Sequence, residues 1–288
     1  MTPPARPLAQ LVARRVSGFF GVVFGSSLVF GFLVWWAPGS PREEGGHFLA
    51  WIVSFWRSLL GGELGPSFRG IGIEDLVVRG AGISLPLVFG ALALSLTGAL
   101  VVASTLGGRS GRISRVVRTG MHAMSLLPVF LLGYIALIVF AVPPDGWLPA
   151  LSAVVILAVG DGMFSDVVLR VEAELQALRS REFMHSATLR GIPMFRNLLP
   201  HLALPLVEAA ASRMAFLLGG IVVLEKVLGI PGIGWIGYRA AQEGDFILLL
   251  TITVLITGLV AVGYFLLDMV RLVVDPRVRR GSMGATGK

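Results

Sequence analysis

Six long apolar runs dominate this 288-residue sequence and restrict the folds that are open to it. Each run is about 20 residues long, which is the length that a helix needs to cross the hydrocarbon core of a bilayer. Backbone polar groups find no water there, so a spanning segment must satisfy them internally, as a helix does. The predicted spans are residues 16–36, 84–106, 120–142, 148–169, 205–224 and 246–268. The expected fold class is therefore all-α and polytopic, with six transmembrane helices.

The composition agrees with a membrane location. Charged residues make up 14% of the chain and hydrophobic residues 55%, whereas a soluble domain carries about 25% charged residues. The sequence has no cysteine, which excludes disulfides, zinc–thiolate sites and thiol catalysis. The first span is too long for a signal peptide and ends in Trp35 and Trp36 without a small-residue cleavage site, so we interpret it as a retained helix.

The basic residues predict the orientation. Of the 24 lysines and arginines, 17 lie on one side: three before span one, four between spans two and three, five between spans four and five, and five at the C-terminal end. Cytoplasmic loops carry such an excess. Both termini and the loop between spans four and five are therefore expected in the cytoplasm. The net charge of +7 is explained by topology, and no nucleic-acid partner is expected.

Two of the connecting segments are longer than a turn requires. The external loop, residues 37–83, contains a nine-residue apolar stretch from Phe48 to Trp56 that is too short to span and is expected to cap the outer face. The cytoplasmic loop, residues 171–204, is polar and is interrupted by Gly191 and Pro193. Such breakers predict two short helices that meet at a bend. Together they would form a stiff knob that fits a groove on a partner.

These features predict the following organisation. The segments are a cytoplasmic N-terminus (1–15), a first transmembrane helix (16–36), an external loop (37–83), a five-helix core (84–274) that contains the cytoplasmic loop 171–204, and a cytoplasmic tail (275–288).

Two short segments carry a family resemblance. The cytoplasmic stretch Phe183-Met-His-Ser-Ala-Thr-Leu-Arg-Gly191, followed by His201, resembles the "EAA" coupling loop of ABC importer permeases. The stretch Glu225-Lys-Val-Leu-Gly-Ile-Pro-Gly-Ile-Gly234 resembles the Glu-x-x-Phe-x-x-Pro-Gly-x-Gly signature of their dipeptide, oligopeptide and nickel branch. Further matches occur in the same order at Trp36–Pro41, Gly62–Ser67 and Asp275–Arg279. The chain therefore resembles this branch over nearly its whole length.

The resemblance implies a type I ABC importer permease in the cytoplasmic (inner) membrane. It implies a homologous second permease, two cytoplasmic ABC ATPase subunits, an external solute-binding protein and contact with membrane lipid as partners. ATP and magnesium would be bound by the ATPases, and this chain would bind no cofactor or metal and have no catalytic residue. The implied ATPase contact comprises Phe183, His185, Ser186, Ala187, Arg190 and Gly191, and the implied external gate comprises Glu225, Pro231, Gly232, Ile233 and Gly234.

The sequence departs from the family pattern at two of these places. His185 stands where the wider superfamily has the Glu of "EAA", and Leu228 replaces the Phe of the external signature. These departures concern the details of docking and the solute.

Two nucleotide-binding patterns are rejected. Gly232-Ile-Gly-Trp-Ile-Gly237 matches G-x-G-x-x-G, but no strand precedes it and no acidic residue follows about 20 residues later. The tail Ser282-Met-Gly-Ala-Thr-Gly-Lys288 lacks the first glycine of a phosphate-binding loop. ATP hydrolysis is therefore expected in a partner.

Ionisable residues occur inside the spans, and two of them, Glu208 and Arg213, are the candidates for the translocation path. Each costs about 2.5–3.5 kcal/mol near a helix centre on insertion scales, so they should face protein or water. The ionisable residues are Asp161, Asp166, Glu208, Arg213 and Asp268. For Asp166 and Asp268, near the cytoplasmic ends of their spans, solvation at the membrane interface is an alternative. Glu208 and Arg213 point about 140° apart on one helix and cannot neutralise each other. Arg213 is predicted to line the path, and a structural ion pair with Asp161, Asp166 or a partner's acid is the alternative.

Three other functions are kept as alternatives. A nickel or metal-chelate importer permease is the nearest, although a chain without cysteine or paired histidines offers a bare metal ion no ligand set. An ion-coupled secondary transporter would be marked by paired broken spans, which the sequence does not suggest. An intramembrane enzyme would need a nucleophile and a base close together, and no such pattern is present. Import of peptides or related small solutes is the predicted function.

Overall fold

The computed structural model describes residues 8–38, 47–67, 69–106, 111–143, 146–160, 162–179 and 194–274. Within these ranges the chain forms ten helices and one isolated β-bridge, between Pro66 and Gly72. The helices are α1 (Leu8–Trp36), α2 (Phe48–Gly61), α3 (Ile73–Leu106), α4 (Arg112–Ser125), α5 (Val129–Val139), α6 (Leu148–Val159), α7 (Met163–Arg179), α8 (Met194–Leu228), α9 (Ile233–Glu243) and α10 (Phe246–Val274). The predicted all-α class is confirmed.

Four of these helices are individually long and apolar enough to cross a membrane. The spanning parts are Val12–Trp36 of α1, Ile73–Leu106 of α3, Leu204–Leu228 of α8 and Phe246–Val270 of α10. The pairs α4–α5 and α6–α7 pass the same test when each pair is taken as one bent span, which brings the total to six. The predicted polytopic fold is confirmed, and its third and fourth spans are each formed by a bent pair of helices.

Spans three and four are broken, which differs from the continuous helices expected. α4 and α5 meet at 102°, and α6 and α7 meet at 49°. The first break lies before Pro128, which has no N–H and disfavours helical geometry in the residue before it. At the second break Gly160 is extended and Gly162 has a φ of 72°, a left-handed value that glycine adopts readily. The sequence did not suggest any broken span, and this expectation was wrong.

The second predicted span begins earlier than expected. α3 starts at Ile73 rather than at residue 84 and carries Glu74 and Asp75 in its first turn, where negative charge favours the helix dipole. Residues 73–83 are thus helical although they were assigned to the external loop. The apolar stretch after Phe48 forms α2, a 14-residue helix that buries Ile52 and Phe55. It ends at Gly62, which has a φ of 69° and donates its backbone N–H to the carbonyl of Leu59.

The chain divides into two compact units. Unit 1 comprises residues 1–83 and 231–288, and unit 2 comprises residues 84–230. In unit 1, α1 packs along α10, and an apolar core forms from Ile52, Phe55, Leu64, Ile73, Ile233, Ala240, Leu248, Leu250, Ile252 and Val254. In unit 2, α5, α6 and α7 pack against α8, and α4 packs against α7. A buried cluster there comprises Ala99, Ala103, Val167, Val168, Val171, Leu175, Leu178, Leu202 and Ala209.

Helices flank the predicted coupling loop on both sides. α7 continues to Arg179, and α8 begins at Met194, so both ends of segment 171–204 are extensions of neighbouring helices. The expected bend at Gly191 and Pro193 lies outside the described residues.

Candidate functional site

The predicted ATPase contact falls in the part of the chain that the structure does not describe. Phe183, His185, Ser186, Ala187, Arg190 and Gly191 all lie between α7 and α8. The structure describes the two helices that lead into and out of this segment. Leu175 and Leu178 near the end of α7 and Leu202 near the start of α8 are buried in the same apolar cluster. Both entrances to the segment are thus held together by apolar packing.

The external signature marks the end of α8 and the start of α9. α8 ends at Leu228, and Gly229 follows with a φ of 70°, which a residue with a side chain rarely adopts. The backbone N–H of Ile230 donates to the carbonyl of Glu225 at 2.9 Å. Pro231 stops the helix because it has no N–H, and Gly232 is the residue before α9. The predicted turn is therefore present, and α9, which the sequence analysis did not predict, follows it.

Glu225 is completely buried within unit 2. Its side chain has no solvent exposure, and the hydroxyl of Ser84, itself 2% exposed, donates a hydrogen bond to Glu225 Oε1. Ser84 belongs to α3 and Glu225 to the last turns of α8, so the contact joins two spans. Close by, a side chain added at Gly133 of α5 would lie 2.8 Å from Leu224 Cδ2. Burying a carboxyl is costly unless it is hydrogen-bonded, and the Ser84 hydroxyl supplies such a bond from α3.

In unit 1, the second half of the signature is packed inside a core. Ile233 is 6% exposed, and Gly234 is also buried. Gly80 of α3 faces this turn: a Cβ at residue 80 would lie 2.7 Å from Ile236 Cδ1 and 3.1 Å from the backbone nitrogen of Ile233. Only glycine permits α3 and α9 to approach so closely. In this conformation the side chain of Ile233 faces protein.

The motif Gly62–Ser67 forms a compact loop next to α9 in unit 1. Gly62 and Gly65 have φ values of 69° and 83°, which explains the glycine at both motif positions. The backbone N–H of Leu64 donates to the carboxylate of Glu74. Arg69, just after the motif, donates through Nε to the carboxylate of Glu243 at 2.9 Å. The external motif and the end of α9 are thereby tied to each other.

Arg213 in the middle of α8 forms an ion pair with Asp166 in the first turn of α7. The Arg213 side chain is 10% exposed and that of Asp166 is 56% exposed. The guanidinium also lies 5.8 Å from the centroid of the exposed Phe216 ring. The structure therefore contains the ion pair that the sequence analysis gave as the alternative to a path-lining role. Glu208 is half-buried on the same helix, and Asp161 lies outside the described residues.

Two further ion pairs were not predicted. Arg15 of α1 donates to Asp268 of α10 at 2.6 Å within unit 1, so the acid at the end of span six has a partner. Arg118 of α4 and Glu172 of α7 pair at 2.8 Å within unit 2. The partners are 253 and 54 residues apart in the chain, so no local sequence pattern indicates either pair. The sequence indicated only that acids inside the spans need a partner and that the loops are rich in arginine.

The polytopic helical fold, with four to six helices that could cross a membrane, is that of a multi-pass membrane protein. The family model for binding-protein-dependent transport system inner membrane components matches residues 95–280. This range is well over half of the chain, and the chain belongs to that family. The fold is that of type I importer permeases. The predicted family is confirmed, and the broken spans do not indicate a secondary transporter.

Several relatives are similar to this chain along most of their length. A probable peptide ABC transporter permease of Sinorhizobium fredii is 26% identical over 311 residues, covering 93% of this chain and 98% of the relative. The oligopeptide transport system permease OppB of Escherichia coli K12 is 26% identical over 246 residues, covering 78% and 79%. The dipeptide transport system permease DppB of Bacillus subtilis is 22% identical over 253 residues, covering 81% and 80%.

Proposed function

We propose that this chain is a permease subunit of an ATP-driven importer of peptides. The observation that carries the proposal is its similarity to permeases named for peptide, oligopeptide and dipeptide transport over at least 78% of the chain. The buried Glu225 and the Pro-Gly turn support it because they occupy the signature positions of that branch. Peptide is preferred over a metal chelate because the relatives' names favour it.

The proposed assembly has three kinds of component. Two homologous permeases form the path, two cytoplasmic ABC ATPases bind ATP and magnesium, and an external binding protein delivers the solute. Both termini and the loop between α7 and α8 face the cytoplasm, following the excess of basic residues there. ATP binding closes the ATPases and opens the path outward, and hydrolysis returns it to the inward-facing state.

α8 is the helix best suited to connect the predicted coupling segment on the cytoplasmic side with the external signature on the other side. It is a single helix of 35 residues, about 52 Å long at 1.5 Å per residue. Its first residues follow the predicted coupling segment, and its last residues carry Glu225 of the external signature. Displacement of the coupling segment would thus reach the outer signature through one continuous helix.

The predicted ATPase contact is tested by Gly191→Asp. A charged side chain at this position should keep the segment out of its groove on the ATPase while the permease still inserts and assembles. Peptide uptake per ATP hydrolysed is expected to fall sharply, because hydrolysis would no longer move the segment. Uptake by proteoliposomes and ATPase activity are measured on the same complex. The control is Gly191→Ala, which adds a smaller, uncharged side chain. Unchanged uptake in the aspartate variant would refute the placement.

The variant Arg213→Ala tests the role of Arg213, because the two interpretations predict different defects in assembly and uptake. If the guanidinium lines the path and attracts the carboxylate end of a peptide, the complex assembles and uptake falls. Arg213→Lys should then recover part of the uptake, because it keeps the positive charge. If the pair with Asp166 is purely structural, the alanine variant yields little assembled complex. Size-exclusion chromatography followed by uptake assays on the assembled fraction separates these outcomes.

The choice of solute has its own test. Purified complex with its binding protein is offered labelled dipeptides, longer peptides and nickel chelates in parallel. ATP-dependent uptake of peptide is expected. Metal uptake that depends on this chain, without any peptide uptake, would overturn the preference for peptides.

A further inference from the structure

A buried carboxylate lies on the helix that enters the predicted coupling segment. Glu172 of α7 is 5% exposed, and Arg118 of α4 donates to both of its oxygens, at 2.8 Å and 3.0 Å. Arg118 Nε donates further to the hydroxyl of Ser114, which is 3% exposed, at 3.3 Å. Two parallel bonds between a guanidinium and a carboxylate fix orientation as well as distance. We call this arrangement the α4–α7 fork.

The fork is not what holds α7 in place. α7 contributes five buried residues to the apolar cluster of unit 2, with further members from α3 and α8. Among the side chains that the structure describes, α4 contributes the partly buried Met121 to that cluster. Its other side exposes Ile113 and Val116, at 75% and 70%. Besides this apolar contact, α4 meets α7 through polar side chains: the fork, and His122, whose Nδ1 lies 3.4 Å from the hydroxyl oxygen of Ser165.

α4 leads directly to a bend and then to α5. The two helices meet at 102° around the residues before Pro128. α5 packs on α8, and at Gly133 it approaches Leu224 and Val227 so closely that a Cβ would lie 2.8 Å and 3.1 Å from them. α5 thus lies beside the last turns of α8, next to Glu225. A displacement of α4 would be carried around the bend to this position.

We propose that the α4–α7 fork is the joint through which displacement of the coupling segment reaches α4 and, through the bend, α5. Arg118 and Glu172 are positioning residues: they touch neither solute nor nucleotide. When the ATPases move the segment after Arg179, α7 moves with it, and the fork turns α4 in the same sense. This inference rests on the proposed function in one respect, that residues 183–191 contact an ATPase.

The absence of cysteine from the sequence permits a direct test. Ile138 near the end of α5 is 79% exposed, so Ile138→Cys gives this chain a single thiol, which is labelled before the chain is assembled with its partner subunits. In the otherwise unchanged protein, the label signal is expected to change when ATP is added. Arg118→Lys keeps the charge but cannot form two parallel bonds, and Glu172→Gln keeps the size but loses the charge. Both are expected to lose the ATP-dependent change while ATP hydrolysis continues.

A matched control variant shows whether the effect is specific to the fork. Arg115→Lys, at an exposed position three residues before Arg118, should keep the full label response. A label that does not respond to ATP in the unchanged protein, or that responds fully in Arg118→Lys and Glu172→Gln, would overturn the role of the fork. Peptide uptake is measured separately on the same samples. A responsive label with no uptake of any peptide would count against the proposed solute and leave the fork supported.

Discussion

Glu225→Ala is expected to lose most of the stably assembled permease, while Glu225→Gln retains it. Glu225 has no solvent exposure and accepts a hydrogen bond from the buried Ser84. Alanine would leave a cavity and remove this hydrogen bond, which together cost roughly 3 kcal/mol or more. Glutamine keeps the volume and an oxygen that accepts the same bond. The measurement is the thermal midpoint of the detergent-solubilised complex, followed by size-exclusion chromatography.

Two controls accompany this prediction. Ser84→Ala removes the donor and leaves the carboxyl in place, so it should destabilise the complex less than Glu225→Ala does. The double variant Ser84→Ala with Glu225→Ala then completes a cycle that measures how strongly the two side chains are coupled. A Glu225→Ala complex that is as stable as the unchanged one would contradict a structural role for this signature residue.

Gly80→Ala is expected to destabilise unit 1 and to displace the start of α9. The added Cβ would lie 3.1 Å from the backbone nitrogen and 3.2 Å from the Cα of Ile233. Backbone atoms cannot rotate away as a side chain can, so α9 must shift. Overpacking of this kind typically costs about 1–3 kcal/mol. Because the shift moves the second half of the external signature, peptide uptake should fall as well.

Gly82 is the matched control for this substitution. It lies two residues along the same helix, and a Cβ there would meet no described atom within 4 Å. Gly82→Ala should be neutral or stabilise the helix by about 0.5–1 kcal/mol. Thermal unfolding and peptide uptake are compared for the two variants. Equal behaviour of the alanines at 80 and 82 would show that the close approach of α3 and α9 is unimportant.

The sequence predicts the spans well because bilayer thickness fixes their length. The apolar runs at 16–36, 205–224 and 246–268 lie within α1, α8 and α10. The breaks in spans three and four were missed, although Pro128 and Gly160 are visible in the sequence. A window of mean hydropathy registers a run of apolar residues and does not register a change of direction within it. The start of α3 was missed for the converse reason: Glu74, Asp75 and Arg79 make its first turns too polar for such a window.

The partners of the charged residues require the folded structure. An isolated acid such as Asp268 or Asp166 must find a partner or water, and this much follows from the sequence. Which arginine meets it depends on contacts between helices far apart in the chain. The burial of Glu225 is of the same kind: the signature identifies the position, and the contact with Ser84 shows what the side chain does there.

The central claim is that this chain moves peptides only as part of an ATP-driven assembly. The decisive measurement co-expresses it with a second permease and two ABC ATPase subunits, purifies the complex through a tag on this chain and reconstitutes it in proteoliposomes with the binding protein. The account predicts that the ATPases co-purify and that peptide accumulates only with ATP and binding protein present. A chain that purifies without ATPases and transports a solute by itself, driven by an ion gradient, would contradict it.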